Sequence, residues 1–218
     1  MSDLTYRKLL AMRLAGLRAE RASWVPHWQE ISDNILPRSG RFFTSDRNKG
    51  DRRHNKILDN TGTRALRTLA AGMMAGMTSP ARPWFRLTTS DPELDESGAV
   101  KLWLSDVTRL MQMVFAKSNT YRALHSCYEE LSAFGTASTI VLADYSNVIH
   151  HYPLTAGEYA IATDHRGVVN TLFREYEMTV GAMAGEFGLD KCSHTVRGMH
   201  DRGNLDAWVP VVQAIEPR

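Results

Sequence analysis

The feature that most constrains this chain is a change of hydrophobic period at Gly135. Upstream of it, apolar residues recur every three or four positions; downstream they gather in short β-branched and aromatic runs. A chain written that way predicts an α+β fold, with a helical N-terminal half followed by a strand-rich segment. The expected division is a mainly helical part over residues 1–137 and a strand-rich part over 138–218.

Leu4, Leu10, Leu14 and Leu17 predict a first amphipathic helix to about Ala22. Ser23 is placed to cap a second one, striped by Trp24, Trp28, Ile31 and Ile35 and stopped by Pro37. Asp59-Asn60-Thr61 starts a third, from Thr63 to about Met77, closed by Ser79-Pro80. Within it Gly72 and Gly76, beside Ala71 and Ala75, give a face of small residues. Each internal glycine costs about 1 kcal/mol against alanine, so close packing of another helix, in the same subunit or a neighbouring one, is the expected compensation. Trp84 to Thr88 reads as a short strand. A long helix is expected from Asp91–Glu96 onward, burying Val100, Trp103, Leu104, Val107, Leu110, Met111 and Val114. Ser118-Asn119-Thr120 recaps the chain into a helix from Tyr121 to about Phe134, with Gly135 as its terminating residue.

Beyond Gly135, Ser138–Ala143, Val148–Tyr152 and Glu158–Ala162 read as strands. Asp164-His-Arg-Gly167 is a turn leading to a second hairpin arm, Val168–Tyr176. Helices are expected over Val180–Phe187 and Lys191–His200, and a last strand over Trp208–Ile215.

Charge is distributed unevenly. Residues 1–86 hold 16 Lys/Arg against 7 Asp/Glu, whereas 87–218 hold 10 against 17. Much of the positive excess lies in residues 37–56, a Gly- and Pro-containing loop with Arg38, Arg41, Arg47, Lys49, Arg52, Arg53 and Lys56 interleaved with Phe42 and Phe43. Such a loop suits contact with DNA phosphates, or with an acidic neighbouring subunit. A basic nucleic-acid-binding module using the 38–56 loop is therefore one functional reading.

Catalytic and cofactor signatures are sparse. Nothing matches a phosphate-binding loop, a nucleophile elbow, a CxxC pair or HExxH, and no cofactor is expected. Cys192, His194 and His200, joined by His150 or His151, form a loose set without the tight pairing of zinc sites. His125 and Cys127 sit two apart on one expected helix, pointing away from each other. Glu129 and Glu130 read as a solvated helix edge rather than an acid–base pair. Two unpaired cysteines, Cys127 and Cys192, make a disulfide framework improbable. The polar start lacks a signal-peptide core, and the uncharged stretch from Thr68 to Ala81 is too short to span a bilayer.

Several stretches, in order, carry a family likeness. They are Trp28-Gln-Glu-Ile31 with Ile35-Leu-Pro-Arg38, Asp59-Asn-Thr-Gly62, Leu69-Ala-Ala-Gly72, and Met77-Thr-Ser-Pro-Ala-Arg-Pro-Trp-Phe85. Val100 with Trp103-Leu104, Ser118-Asn-Thr-Tyr121, Tyr128-Glu-Glu-Leu131 and Phe134-Gly-Thr136 follow. Gly157-Glu-Tyr159, the Asp164–Gly167 turn, Arg174-Glu175 and Met178-Thr179 complete the set. With these the chain resembles the head-to-tail connector, or portal, proteins of short-tailed bacteriophages.

The resemblance implies the wing-like region of a subunit in a ring, usually of twelve copies, at one capsid vertex. Double-stranded DNA passes through that ring during packaging and ejection, driven by a separate terminase, and capsid or scaffold and tail adaptor proteins contact it. No catalytic residue, metal or membrane is implied; the location is the virion, and the host cytoplasm during assembly. Family members are longer, so stem and clip are expected beyond Arg218. The basic and acidic halves are expected to complement each other between rotated copies.

Overall fold

The computed structural model describes residues 3–44, 50, 52–53 and 56–217. Their contacts divide into two compact units. One comprises residues 1–30, 40–53 and 156–218, and the other 31–39 and 54–155. Arg47 and Lys49 lie outside the described residues.

Helix α1 spans Asp3–Arg21 and α2 spans Trp24–Asn34. On α1 the expected stripe points inward at Leu14, which is 5% exposed. On α2 the stripe is shifted: Trp24 is exposed and stacks obliquely on Trp28 at 6.2 Å, while Ser32 is buried.

The second unit is organised on α3 (Thr61–Met77), α5 (Gly98–Lys117) and α6 (Thr120–Phe134), with the hairpin β1 (Ser138–Asp144) and β2 (Val148–Leu154). Thr61 donates both its backbone N–H and its hydroxyl to Asp59 Oδ1, at 3.1 and 2.9 Å, which orders the start of α3. Helices α3 and α6 pack together, Leu66 and Ala70 of α3 and Ala123 and Tyr128 of α6 are buried, and the Tyr128 hydroxyl meets the Thr78 hydroxyl at 2.9 Å. Gly135, at φ 74°, ends α6 in the left-handed conformation expected of a terminating glycine. Glu130 departs from expectation. It is buried and accepts from the Thr155 hydroxyl at 2.7 Å, because a polar partner 25 residues downstream folds over it.

Three further expectations for this unit need correction. The long helix from Asp91 is two helices: α4 (Pro92–Glu96), capped by Asp91 Oδ1 accepting from Glu93 N–H at 3.0 Å, and α5. Ser97 adopts extended backbone between them. Trp103 and Leu110 are not buried but 64% and 54% exposed, since α5 turns Leu104 and Thr108 inward. Trp84–Thr88 runs without turn or bend but pairs with no strand among the described residues. Its aromatics stack instead, with Trp84 6.0 Å and Phe85 5.8 Å from the Phe115 ring.

In the first unit β3 (Tyr159–Thr163), β4 (Val169–Thr179) and β5 (Trp208–Ile215) form an antiparallel sheet with β4 central. The β3–β4 turn is held by Asp164, whose Oδ1 accepts from the N–H groups of Val168 (3.0 Å) and Arg166 (2.8 Å). Those donors hold its carboxyl below the usual carboxylate range. Thr179 caps α7 (Val180–Phe187) and Ser193 caps α8 (His194–Asp201), each hydroxyl accepting from an N–H three residues on. Lys191 lies in a short 3-10 turn rather than in α8. Phe173 and Val180 are fully buried, and Cys192 and Val196 join Val180 in the core beneath α7 and α8. No helix among the described residues is long and apolar enough to cross a membrane.

Candidate functional site

The Gly157-Glu158-Tyr159 run, leading into β3, is the most densely tied place in the first unit. Gly157 sits at φ 89°, and a Cβ there would lie 2.3 Å from the Arg41 carbonyl oxygen. Only glycine allows the two backbones to approach so closely. The approach is fastened by Arg41 N–H donating to Ala156 O at 2.8 Å. Arg21, on the last turn of α1, donates one guanidinium nitrogen to the carbonyl oxygens of Gly157 (3.1 Å) and Tyr159 (2.5 Å). Burial pushes that guanidinium below its ordinary pKa.

Glu158 is buried and accepts from Arg174 Nε at 2.6 Å, with both side chains less than a tenth exposed. Arg41 approaches the same carboxylate at 3.9 Å, and the Arg174 guanidinium lies 4.1 Å over the Tyr176 ring. Nearby, Arg18 grips Glu175 through both arms of its guanidinium, the Nε–Oε2 distance being 2.9 Å. That bond raises the Arg18 pKa. An open cleft of about 590 Å³ is lined by Arg18, Arg21 and Arg41, by Glu158, Glu175 and Glu177, and by apolar groups of Phe42, Phe43 and Val212.

Chemically, this cluster is built to hold shape. The carboxylates of Glu158 and Glu175 are matched by guanidiniums at short range, Glu158 by Arg174 Nε at 2.6 Å and Glu175 by both arms of Arg18. Removing one partner of such a buried pair leaves an uncompensated charge, so the pair enforces the local arrangement strongly.

The sequence-derived candidates are scattered. Of the basic loop, Arg41, Arg52 and Arg53 belong to the first unit, and Arg38 and Lys56 to the second. Arg38 and Arg52 are exposed, Arg41 faces Glu158, and Lys56 pairs with Asp33 at 2.6 Å. Gly72 and Gly76 lie on the exposed side of α3, where a Cβ would meet nothing within 4 Å in this chain. Cys192 is buried with its thiol towards Gly188 O at 3.4 Å, and the described residues bring no three metal-binding side chains together. Burial, and then the charge of Glu130, pushes the Cys127 thiol up, away from the reactive thiolate. His125 is oriented to Glu129 at 4.0 Å instead.

Sequence reasoning passed over Arg18, Arg21, Glu158, Arg174 and Glu175 as site residues. The available signal was a charge within a β-rich run: Glu158 before an apolar strand, and Arg174-Glu175 inside another. Long charged side chains there must be paired if they face inward. The second unit has a further unforeseen feature: Leu102, Trp103, Leu110 and Met113 form an exposed apolar stripe along α5.

The family model described as bacteriophage head to tail connecting protein matches residues 7–218. The chain is 70% identical, over its whole length, to 39% of a probable portal protein of Bordetella phage BPP-1. It is 47% identical, over 98% of its length, to 38% of a portal protein of Salmonella phage epsilon15. It thus spans about two fifths of the length of these curated relatives. A match this continuous runs through the Gly157–Tyr159 hub, the Arg174–Glu175 pair and both units, and it establishes that the chain belongs to the bacteriophage head to tail connecting protein family.

Proposed function

We propose that this chain forms the wing-like region of a portal subunit, repeated around the axis of a ring through which phage DNA is packaged and ejected. The observation that carries the reading is the 70% identity, over the whole chain, to a probable portal protein. The family is a structural one, which agrees with a non-enzymatic role. In this reading residues 1–137 supply most of the helices and 138–218 most of the strands of one wing, twelve copies close the ring, and terminase, capsid or scaffold and tail adaptors dock on it.

Physical features support the assignment. A conduit for DNA needs a wall that keeps its shape under load and holds phosphates weakly, because each strong phosphate contact would retard passage. The paired arginines and glutamates of the first unit provide stiffness while cancelling much of their own charge. Copies related by rotation meet through different surfaces. The exposed stripe of Leu102, Trp103, Leu110 and Met113 has the aromatic and aliphatic make-up of subunit contacts. Arg38 and Arg52, with Arg41, Arg47, Lys49, Arg53 and Lys56, serve as contacts to an acidic neighbour or to DNA, and the open face at Gly72 and Gly76 receives a helix of another copy.

The test is to label the protein with a tag for gold particles in virions of a phage that encodes it. Labels at a single vertex are expected. Labels spread over the shell, or absent from particles that carry DNA, would overturn the assignment.

A further inference from the structure

The inner side of the β1–β2 hairpin carries a histidine that its surroundings suit only when neutral. Burial alternates along β2, with Ile149, His151 and Pro153 turned inward and Val148, His150 and Tyr152 outward. The hairpin packs on α6 and α5. Asn119, at the start of α6, grips the His151 backbone through both ends of its amide. Its Nδ2 donates to His151 O at 2.7 Å, and its Oδ1 accepts from His151 N–H at 2.8 Å. Both ring nitrogens of His151 are closed off from solvent, and no group among the described residues bonds either one. A neutral imidazole bears that at modest cost; an imidazolium, with two charged N–H donors to satisfy, does not.

The charges nearby offer a proton no compensation. A pocket of about 280 Å³ beside the ring is lined by Arg122 of α6 and by His150, with Asn119 and Ser126. On α6, Glu130 accepts from Thr155 and Glu129 faces His125. β1 offers only Asp144, opposite Val148 at the hairpin tip. α5 carries Lys101, Asp106, Arg109 and Lys117, with Asp106 paired to Arg109. No carboxylate of these elements lines the pocket that His151 shares with Arg122. Burial, and then the charge of His150, holds the His151 ring below the ordinary imidazole pKa.

We infer that His151 makes the docking of the β1–β2 hairpin acid-sensitive: a proton taken up by its ring releases the hairpin from α6. Once released, the ring meets water and takes a proton at the ordinary imidazole pKa of about 6.5. The docked ring takes one less readily, so below that pH the released state binds more protons and docking weakens. Above it both states are neutral, and docking has its full strength. A two-stranded hairpin has little stability of its own, so its seat on the helices decides whether Ser138–Leu154 stays fixed. Acid thus turns a fixed element of this unit into a mobile arm.

The His151 N–H is bonded to Asn119 of the α6 cap, so its hydrogen exchange reads docking directly. Its protection, corrected for the intrinsic pH dependence of exchange, is expected to fall several-fold between about pH 7.5 and about pH 5.5. The ceiling is about tenfold for a released ring of pKa about 6.5. His151→Phe keeps an aromatic ring without a titrating nitrogen and should hold the protection constant within about twofold over that range. His150→Gln should keep the fall. A fall that survives in His151→Phe, one that vanishes in His150→Gln, or none in the unsubstituted protein overturns the inference. Should His151→Phe not fold, exchange of the ring C2–H in the unsubstituted protein decides, followed by mass spectrometry on fragment ions that separate His151 from His150. A midpoint below about 6.5 that accompanies the loss of protection upholds the inference, and any other result overturns it.

Discussion

Replacing Gly157 with alanine tests the hub most sharply. Two costs arise at that position. An L-residue held at φ 89° loses about 1 kcal/mol relative to glycine. The new methyl would also stand 2.3 Å from Arg41 O and 2.9 Å from Arg41 C. Both are backbone atoms, so the overlap is relieved only by moving the Arg41–Phe42 segment. Moving it breaks the 2.8 Å bond from Arg41 N–H to Ala156 O, worth about 1 kcal/mol, and withdraws Arg41 from Glu158. The total loss is expected to be about 3 kcal/mol. Gly167→Ala is the matched control: Gly167 has φ 77° in the β3–β4 turn, but nothing lies within 4 Å of its added Cβ. It should cost only the conformational term, about 1 kcal/mol. Urea denaturation followed by circular dichroism and tryptophan fluorescence reads the difference. Equal destabilisation of the two variants, within about 0.5 kcal/mol, would refute the argument that the Arg41 backbone is what requires glycine.

Other outcomes follow from the same geometry. Glu158→Gln should destabilise the chain by about 3 kcal/mol, since the buried Arg174 guanidinium loses its counter-charge; a loss within measurement error in the same titration would show that pair to be idle. Cys127 should label with iodoacetamide along a pH curve whose midpoint lies above that of a free cysteine, because burial raises its pKa; a midpoint at or below the free value contradicts this. The Asp164 carboxyl, depressed in the folded chain, contributes stability above its unfolded pKa, and that contribution is lost as pH falls through the folded value. Asp164→Asn should therefore flatten the decline of stability below about pH 4, and an unchanged acid limb would dismiss the turn's role.

Much of the fold was legible because local periodicity and punctuation agree. The Gly135 stop, the Asp164–Gly167 turn and the bounds of β5 needed only residues close in sequence. Misreadings came where long-range contacts decide. Trp103 and Leu110 belong to an α5 sequence that is apolar on two faces, and periodicity cannot say which face is turned inward. Trp84–Thr88 has strand composition but finds no strand beside it among the described residues, so composition alone overstated its pairing. Glu130 looked solvated because Thr155 lies 25 residues away. The arginine–glutamate hub was invisible for the same reason: Arg21, Arg41, Gly157 and Arg174 meet only after α1 and the sheet assemble. The family likeness already contained Gly157-Glu-Tyr159 and Arg174-Glu175; the structure supplies their physical reason.

The central claim is that this polypeptide is one repeated segment of a closed ring. Native mass measurement of the purified chain across a range of concentrations tests it most directly. The account predicts one dominant species at an integer multiple of 24.5 kDa, with rotational symmetry in electron micrographs. A mass of 24.5 kDa at every concentration, or an open series of sizes that never closes, would contradict it.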